Sequence, residues 1–243
     1  MHLELKPNGQ AVRLFVREQL RSPMTLVLLL VLPVVFVTAA AAVLGPFAKA
    51  LGGSASGHAA TALGAGWAAA FLAGALGFFQ TVSAREADRR LALAGLGAAH
   101  TAVARLVSAF SLVLAVSTTA LLALWARQGT NHPAHTALAI LTFASIYLAI
   151  GIAVGAVVRD PLAGSLAVVF IFILDVFSGP GMTSGAQGLS QLLSPSRKAA
   201  ELLLSAGAGQ SSSTSDWIAA AISTAVAITV ALSVFWLAAR RKG

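Results

Sequence analysis

Cysteine is absent from this 243-residue sequence, and charged residues are scarce, at 10% of the chain. The absence of cysteine excludes disulfides and thiolate metal sites. No GxxxxGK(S/T) motif is present, so the chain cannot bind a nucleotide through a P-loop. HExxH and GxSxG are missing as well, which removes the strongest signatures of intramembrane proteases and esterases. We therefore expect neither an enzyme nor a cofactor site in this chain.

The polar surface is too small for a soluble globule. Hydrophobic residues make up 58% of the chain and its mean hydropathy is +0.86, whereas a soluble domain is about half apolar. A helix that crosses a bilayer needs about 20 mostly apolar residues. We predict an all-α integral membrane protein that forms a single domain, residues 1–243, without room for a soluble catalytic domain. The six predicted transmembrane helices cover residues 24–44, 63–82, 106–125, 134–158, 162–178 and 217–238.

The 16 basic residues are distributed unevenly between the two sides of this predicted bundle. With both termini in the cytoplasm, all but four of them fall on the inner side, which is the pattern that orients membrane proteins. This asymmetry explains the net charge of +8 without a nucleic-acid partner, because the basic residues are dispersed and form no single stripe. The alternative is a cleaved signal peptide with its apolar core at residues 24–37, which would leave five spans. The four basic residues on the outer side are Lys49, Arg127, Arg197 and Lys198.

The segment before the first span has the pattern of an interfacial helix. Arg13, Arg17 and Arg21 are spaced four residues apart, on a different helical face from the apolar residues of VRLFVREQLR. Such a helix can lie at the membrane surface with its arginines facing inner-leaflet phosphates or a protein. The alternative is an ordinary basic flank that only sets the orientation of the first span.

Five charges fall within six positions of the stretch SAREADRRLALAG, at residues 83–95. Each such side chain costs about 2.5 to 3.5 kcal/mol at the bilayer centre, so the stretch is predicted to be cytoplasmic. Residues 84–98 nevertheless have a helical pattern, which Gly95 and Gly97 interrupt. We interpret it as a docking helix, and the alternative is a solvated helix that only follows the positive-inside rule. The charged residues are Arg85, Glu86, Asp88, Arg89 and Arg90.

Asp175 is the single acid within a predicted span, which makes it a candidate functional residue, for example at an outer gate. It lies about one turn from the outer end of its span, and we expect it to reach water there or to pair with Arg197 or Lys198. The outer segment 178–216 is predicted to contain a short helix or a re-entrant hairpin that begins near Ser194. This segment is either a functional lid or a loop that only stabilises the bundle.

Three shorter patterns also carry predictions. Asp160 precedes Pro161 and is predicted to cap the fifth span. Gly151 and Gly155 have the spacing that allows two membrane helices to approach closely. His132 and His135 are three residues apart, but they have no third ligand nearby, so no metal site is expected.

These elements in this order resemble the membrane subunit of ABC-2-type exporters. The resemblance covers nearly the whole chain and includes the N-terminal interfacial helix, the charged helix after span two and the outer helical segment before span six. The stretches that carry it are LRSPMTLVLLLVLP at 20–33, AREADRRLALAGLGAAHTAVARLVSAF at 84–110 and LLSPSRKAAELLLSAG at 192–207. The outer loop after span one is shorter than in many members, so we expect no large extracellular domain.

The resemblance implies a function and a set of partners. Two such permeases pair, either two copies or one copy with a sister chain, and each docks a cytoplasmic ABC ATPase that binds ATP and Mg²⁺. Arg85, Glu86, Asp88, Arg89 and Arg90 would then be the ATPase-coupling contacts. Arg13, Arg17 and Arg21 would form the interfacial elbow.

The expected cargo is a hydrophobic or amphipathic small molecule, such as a drug or antibiotic, exported across a bacterial cell membrane among whose lipids the chain is embedded. Two alternatives stay open. The first is a member of the same family that exports a lipid-linked glycan or haem-type cargo. The second, from another class, is an ATP-independent membrane carrier or scaffold, which inverted repeats or several buried ionisable groups would favour.

Overall fold

The computed structural model describes residues 23–55, 57–93, 98–130, 132–158, 160–182, 194–210 and 212–240. The regular secondary structure in these ranges is entirely α-helical, in agreement with the predicted fold class. Seven helices are present there. They are α1 (Pro23–Ala50), α2 (Gly57–Leu93), α3 (Ala98–Gln128), α4 (Pro133–Val157), α5 (Pro161–Ser178), α6 (Arg197–Gly207) and α7 (Thr214–Arg240).

Five of these helices are long and apolar enough to cross a membrane, namely α2 to α5 and α7. α1 is bent by 47° between residues 31–39 and 42–50, and it makes a sixth if its two parts are one span. Pro46 lies one turn after the bend, where it cannot donate a backbone hydrogen bond to the carbonyl of residue 42. The chain is therefore a helical, multi-pass membrane protein.

The start of α5 follows directly from its sequence. Pro161 occupies the first helical position, and the Asp160 side chain accepts hydrogen bonds from the backbone N–H groups of Leu162 and Ala163, both at 3.2 Å. These bonds satisfy two of the donors that every helix leaves free at its N-terminus. The predicted cap at Asp160 is confirmed.

α2 is the central helix of the bundle, and it contacts α1, α3, α4, α5 and α6. Its contact with α4 is very close because glycines line both sides. A Cβ atom added at Gly151 would lie 2.0 Å from the Gly74 carbonyl oxygen, and one at Gly155 would lie 2.8 Å from the Thr81 Cβ. The close approach predicted from Gly151 and Gly155 is confirmed.

We call one end of the bundle the distal end. The start of α2, the end of α3 and the turns that contain Ala55 and Gly181 meet there. The Gln128 side chain of α3 donates to the His58 carbonyl of α2 over 3.1 Å, and the Ala55 N–H donates to the Gly181 carbonyl over 2.9 Å. The short helix α6 also lies at this end, where it packs against α2, α4 and α7. At the opposite end, α2 continues beyond its apolar segment.

Candidate functional site

The charged stretch after the second span is a direct continuation of α2. The apolar segment Gly57–Ser83 and residues 84–93 form one helix of 37 residues. We call residues 84–93 the charged extension. At about 1.5 Å per residue it projects about 15 Å beyond the apolar segment. All five charged positions lie on it, at Arg85, Glu86, Asp88, Arg89 and Arg90.

This arrangement confirms the helical prediction over residues 84–93 and adds a connection that the sequence did not reveal. We expected a separate short helix within a loop, whereas the backbone continues through Ser83 without a break. A displacement of the extension must therefore move α2, which contacts five other helices of the bundle. The predicted glycine break at Gly95 and Gly97, and the elbow arginines Arg13, Arg17 and Arg21, lie outside the described residues.

The second candidate site surrounds Asp175, which is only 2% exposed. Its carboxylate accepts hydrogen bonds from three side-chain hydroxyls. Tyr147 Oη donates over 2.7 Å, Ser194 Oγ over 2.5 Å, and Ser196 Oγ donates to the same oxygen as Tyr147. We call Asp175, Tyr147, Ser194 and Ser196 the carboxylate cluster. Through it, one buried acid joins α4, α5 and the segment that leads into α6.

The expected partners of Asp175 bind a different acid. Arg197 Nε and Lys198 Nζ lie 2.8 and 2.7 Å from the carboxylate oxygens of Glu201, one turn further along α6. Asp175 neither reaches water nor pairs with these two bases, because the turn at Ser194–Ser196 lies against it and supplies hydroxyls instead. The sequence-based expectation for its partners is therefore corrected.

The short length of α5 and the start of α6 explain the geometry of the carboxylate cluster. α5 ends at Ser178, so Asp175 lies in its last turn. Ser196 is the N-cap residue of α6, and its hydroxyl donates a hydrogen bond to Asp175 instead of capping its own helix. The carboxylate thus lies beside a helix N-terminus, where the backbone dipoles favour negative charge.

Aromatic rings enclose the tyrosine of the cluster. The centroid of the Tyr147 ring lies 6.3 Å from the ring centroid of Phe143 and 5.9 Å from that of Phe172. On its other side, a Cβ atom at Gly74 would lie 3.3 Å from Tyr147 Cδ1. Apolar surroundings of this kind strengthen a hydrogen bond and make an unpaired partner costly.

α6 is held at the distal end by its apolar face. Ala199, Ala200, Leu202 and Leu203 are buried, and Leu203 lies so close to α2 that a Cβ atom at Gly66 would be 2.2 Å from its Cδ1. The predicted helix in the outer segment is confirmed over Arg197–Gly207, with its start three residues later than expected. Residues 183–193 of the outer segment lie outside the described ranges.

The opposite face of α6 carries the charges. Burial raises the pKa of Glu201, but the hydrogen bonds from Lys198 and Arg197 outweigh that effect and hold the pKa of the carboxyl below its usual value of 4.5. This ion triad is partly exposed, with side-chain exposures of 29% to 39%. It gives α6 a polar surface away from the bundle.

A small polar cavity of about 120 Å³ lies next to the C-terminal end of α6. His58, Gln128 and Thr136 contribute polar atoms to its wall. Thr130 also lines the cavity, and its Oγ1 has no hydrogen-bond partner within the described part of the chain. The volume is enough for water, since a cavity needs about 10–15 Å³ of such space to hold one molecule.

The sequence reasoning missed the partners of Asp175, although a signal existed. Tyr147 is the only tyrosine of the chain, and Asp175 is the only acid in a predicted span. A buried carboxylate requires donors and a buried phenol requires an acceptor, so two such groups within one bundle are natural partners. Ser194 and Ser196 could not be found in this way, because serines are common in the outer segment.

The histidine pair contributes to packing at the start of α4. The rings of His132 and His135 lie 5.7 Å apart, and the His135 ring lies 5.6 Å from that of Trp217 on α7. Within the described ranges, no three His, Cys, Asp or Glu side chains form a group that could hold a metal ion.

Comparison of the chain with protein-family models and with curated proteins found no match.

Proposed function

We propose that this chain is the membrane subunit of an ATP-driven exporter of the ABC-2 type. It moves a hydrophobic or amphipathic small molecule, such as a drug or antibiotic, out of the cytoplasm or the inner leaflet. ATP and Mg²⁺ bind to two ATPase subunits that are separate chains, and a second permease completes the transporter. The chain resides in a bacterial inner membrane with both termini in the cytoplasm.

The observation that carries this proposal is the continuity of α2. A helix that only had to cross the membrane could end near Ser83, where its apolar segment ends. α2 instead continues for ten residues that contain five charges. A rigid, charged projection of the central helix is suited to receive a push from a soluble partner and to pass it to the packed core.

The membrane layout gives further support. Counting the bent α1 as one span gives six crossings, an even number that keeps both termini on one side. The charged extension then lies on the cytoplasmic side, together with most of the basic residues. Large apolar side chains such as Val226 and Leu166 face outward from the bundle, as expected for contact with lipid.

The mechanism follows from these parts. ATP binding closes the ATPase dimer and displaces the two docked charged extensions. Because α2 contacts five other helices, its displacement changes the packing of the whole bundle. The bundle then shifts between a conformation that admits cargo from the inner side and one that releases it outward.

The proposal is tested by reversing charge on the extension in cells that express the chain with its ATPase. We expect Arg89→Glu combined with Arg90→Glu to abolish both co-purification of the ATPase and export of a fluorescent amphipathic substrate. The matched control is Arg240→Glu combined with Arg241→Glu, which makes the same charge change at the C-terminal end of the chain. Protein level and cysteine-labelling topology are measured for each variant.

The control variant is expected to retain both the ATPase and export. Export that persists in the Arg89/Arg90 variant would contradict the proposal, and so would a purified transporter that is active without an ATPase. The latter result would indicate an ATP-independent carrier.

A further inference from the structure

The proposed function makes no use of the carboxylate cluster, although Asp175 is the only buried acid within the described ranges. Its four residues belong to three parts of the structure. Tyr147 is on α4, Asp175 is on α5, and the two serines belong to the turn before α6. The cluster therefore ties the short helix α6 to the spans.

The position of α6 and the environment of Asp175 depend on each other. Two of the three hydroxyls bound to Asp175 come from Ser194 and Ser196. If α6 moved away from the bundle, only Tyr147 would remain as a donor, and the carboxylate would need water in place of the serines. Water can replace the serine hydroxyls, so opening costs only the modest net free energy of these hydrogen bonds, which favours the closed position and still allows release. A purely apolar contact in this place would provide no such exchange.

α6 also makes packing contacts with α2. Leu203 sits above Gly66, and a Cβ atom at Gly207 would lie 3.0 Å from the Cβ of Ala62. Directly after α6, Gly209 has a left-handed backbone conformation, with φ 71°. Glycine adopts this conformation without steric cost, so the chain can turn sharply there.

We propose that the carboxylate cluster is a releasable latch that holds α6 as a lid on the distal end of the bundle. With the latch closed, Asp175 is dry and α6 covers Gly66, Phe143 and Tyr147. With the latch open, water replaces the serine hydroxyls and these residues become accessible from the distal side. The latch is a property of this chain alone and holds whether or not an ATPase drives the bundle.

The absence of native cysteine makes a direct test simple. A single reporter, Ala200→Cys, is placed on the buried face of α6, where Ala200 is 1% exposed. The protein is reconstituted in lipid nanodiscs, which leave both membrane faces accessible, and labelled with a membrane-impermeant maleimide. Asp175→Asn then replaces the carboxylate by an amide of the same shape that has a single acceptor oxygen. We expect labelling to become about tenfold faster, because the closed lid loses charge-assisted hydrogen bonds.

Two controls separate a latch from general loosening. Glu201→Gln makes the same chemical change on the exposed face of α6, and we expect labelling within about twofold of the parent reporter. A second reporter, Ala69→Cys, lies in the core of α2 at 0% exposure and should stay unlabelled when Asp175→Asn is introduced.

Each outcome decides the proposal. Faster labelling of the α6 reporter alone supports the latch. Unchanged labelling of that reporter, or faster labelling of both reporters, overturns it. If Asp175→Asn does not fold, Ser196→Ala removes one hydroxyl from the cluster and should give a smaller increase at the α6 reporter alone. These measurements need no ATPase and no cargo, so their failure is distinct from a failure of the proposed transport function.

Discussion

α2 and α7 are both apolar helices of membrane-spanning length, yet they occupy opposite kinds of environment. In the most apolar part of α2, 78% of the residues are buried within the protein, compared with 11% for α7. α2 contacts five other helices, whereas α7 contacts α4 and α6. The two have similar hydropathy, 1.7 and 2.0, so hydropathy alone does not distinguish them.

Side-chain size distinguishes the two helices. The buried surface of α2 consists largely of alanine and glycine, which allow the backbones of neighbouring helices to approach. The exposed surface of α7 carries isoleucine, valine and leucine, for example Ile222 and Val226. Fluid lipid can adapt to apolar side chains of different shapes, whereas a close-packed interface between helices, or seam, fits side chains of one size and shape. We therefore expect changes in side-chain volume to lower the stability of the protein when they fall in α2 or the helices packed against it. Similar changes on the exposed side of α7 should have almost no effect on stability.

The largest effect should come from filling the seam between α2 and α4. Gly151→Val should lower the free energy of unfolding by about 3 kcal/mol, because its Cβ would meet the Gly74 carbonyl and neither backbone can move freely. Unfolding by SDS in mixed micelles measures the change. Ala225→Val, on the exposed side of α7, is the control and should change the stability by less than about 0.5 kcal/mol. Equal effects at the two sites would show that the seam is not close-packed.

The next effect tests the polar contact within the core. Tyr147→Phe removes only the hydroxyl that donates to Asp175, and it should destabilise the protein by about 1.5 kcal/mol. The same SDS unfolding experiment measures it. Ser165→Ala is the matched loss of a hydroxyl on α5, since among the described residues Ser165 bonds only to the Leu162 carbonyl of its own helix. A loss at Ser165 as large as that at Tyr147 would remove the distinction between a hydrogen bond that joins helices and one within a helix.

A smaller effect is expected at the start of α5. Asp160→Ala should cost about 1 kcal/mol because two backbone donors lose their acceptor. Asp160→Asn retains a capping oxygen and should be nearly neutral. Helix content followed by circular dichroism during thermal unfolding compares the two variants. Identical melting of both variants would mean that the cap contributes nothing.

The smallest effect concerns the exposed ion triad on α6. Because the pKa of Glu201 is lowered in the folded state, its contribution to stability is present above the ordinary value of 4.5 and is lost as the pH falls through the lower folded pKa. The contribution should be below about 1 kcal/mol, as for other partly exposed pairs. Glu201→Gln should therefore lower the unfolding midpoint slightly at pH 7 and leave it unchanged at a pH well below the folded pKa. A variant as stable as the parent at pH 7 would show that the triad is energetically silent.

Much of the fold could be predicted from the sequence, because hydrophobic length and helix signals are local. The apolar runs coincide with α1 to α5 and α7, and the Asp160 cap and the close approach at Gly151 follow from short patterns. The bend in α1 was not predicted, although Pro46 could have indicated it.

The long-range features could not be predicted in the same way. The sequence does not show whether α2 ends at Ser83 or continues, because a run of charges is compatible both with a continuous helix and with a separate one. The partners of Asp175 depend on which turn folds back against α5. Arg197 and Lys198 were the obvious candidates by charge, but Glu201 on their own helix is closer along the chain.

The most direct test of the central claim compares the charged extension with α7 by site-specific cross-linking. A photoactivatable amino acid is placed at Ala87 on the extension or at Val226 on the lipid-facing side of α7, in cells that express the chain. We predict a cross-linked product at position 87 in which mass spectrometry identifies an ATPase with a P-loop motif, and no such product at position 226. If position 87 gives no ATPase, or reacts with impermeant labels from outside intact cells, the extension is not the point at which a motor drives this chain.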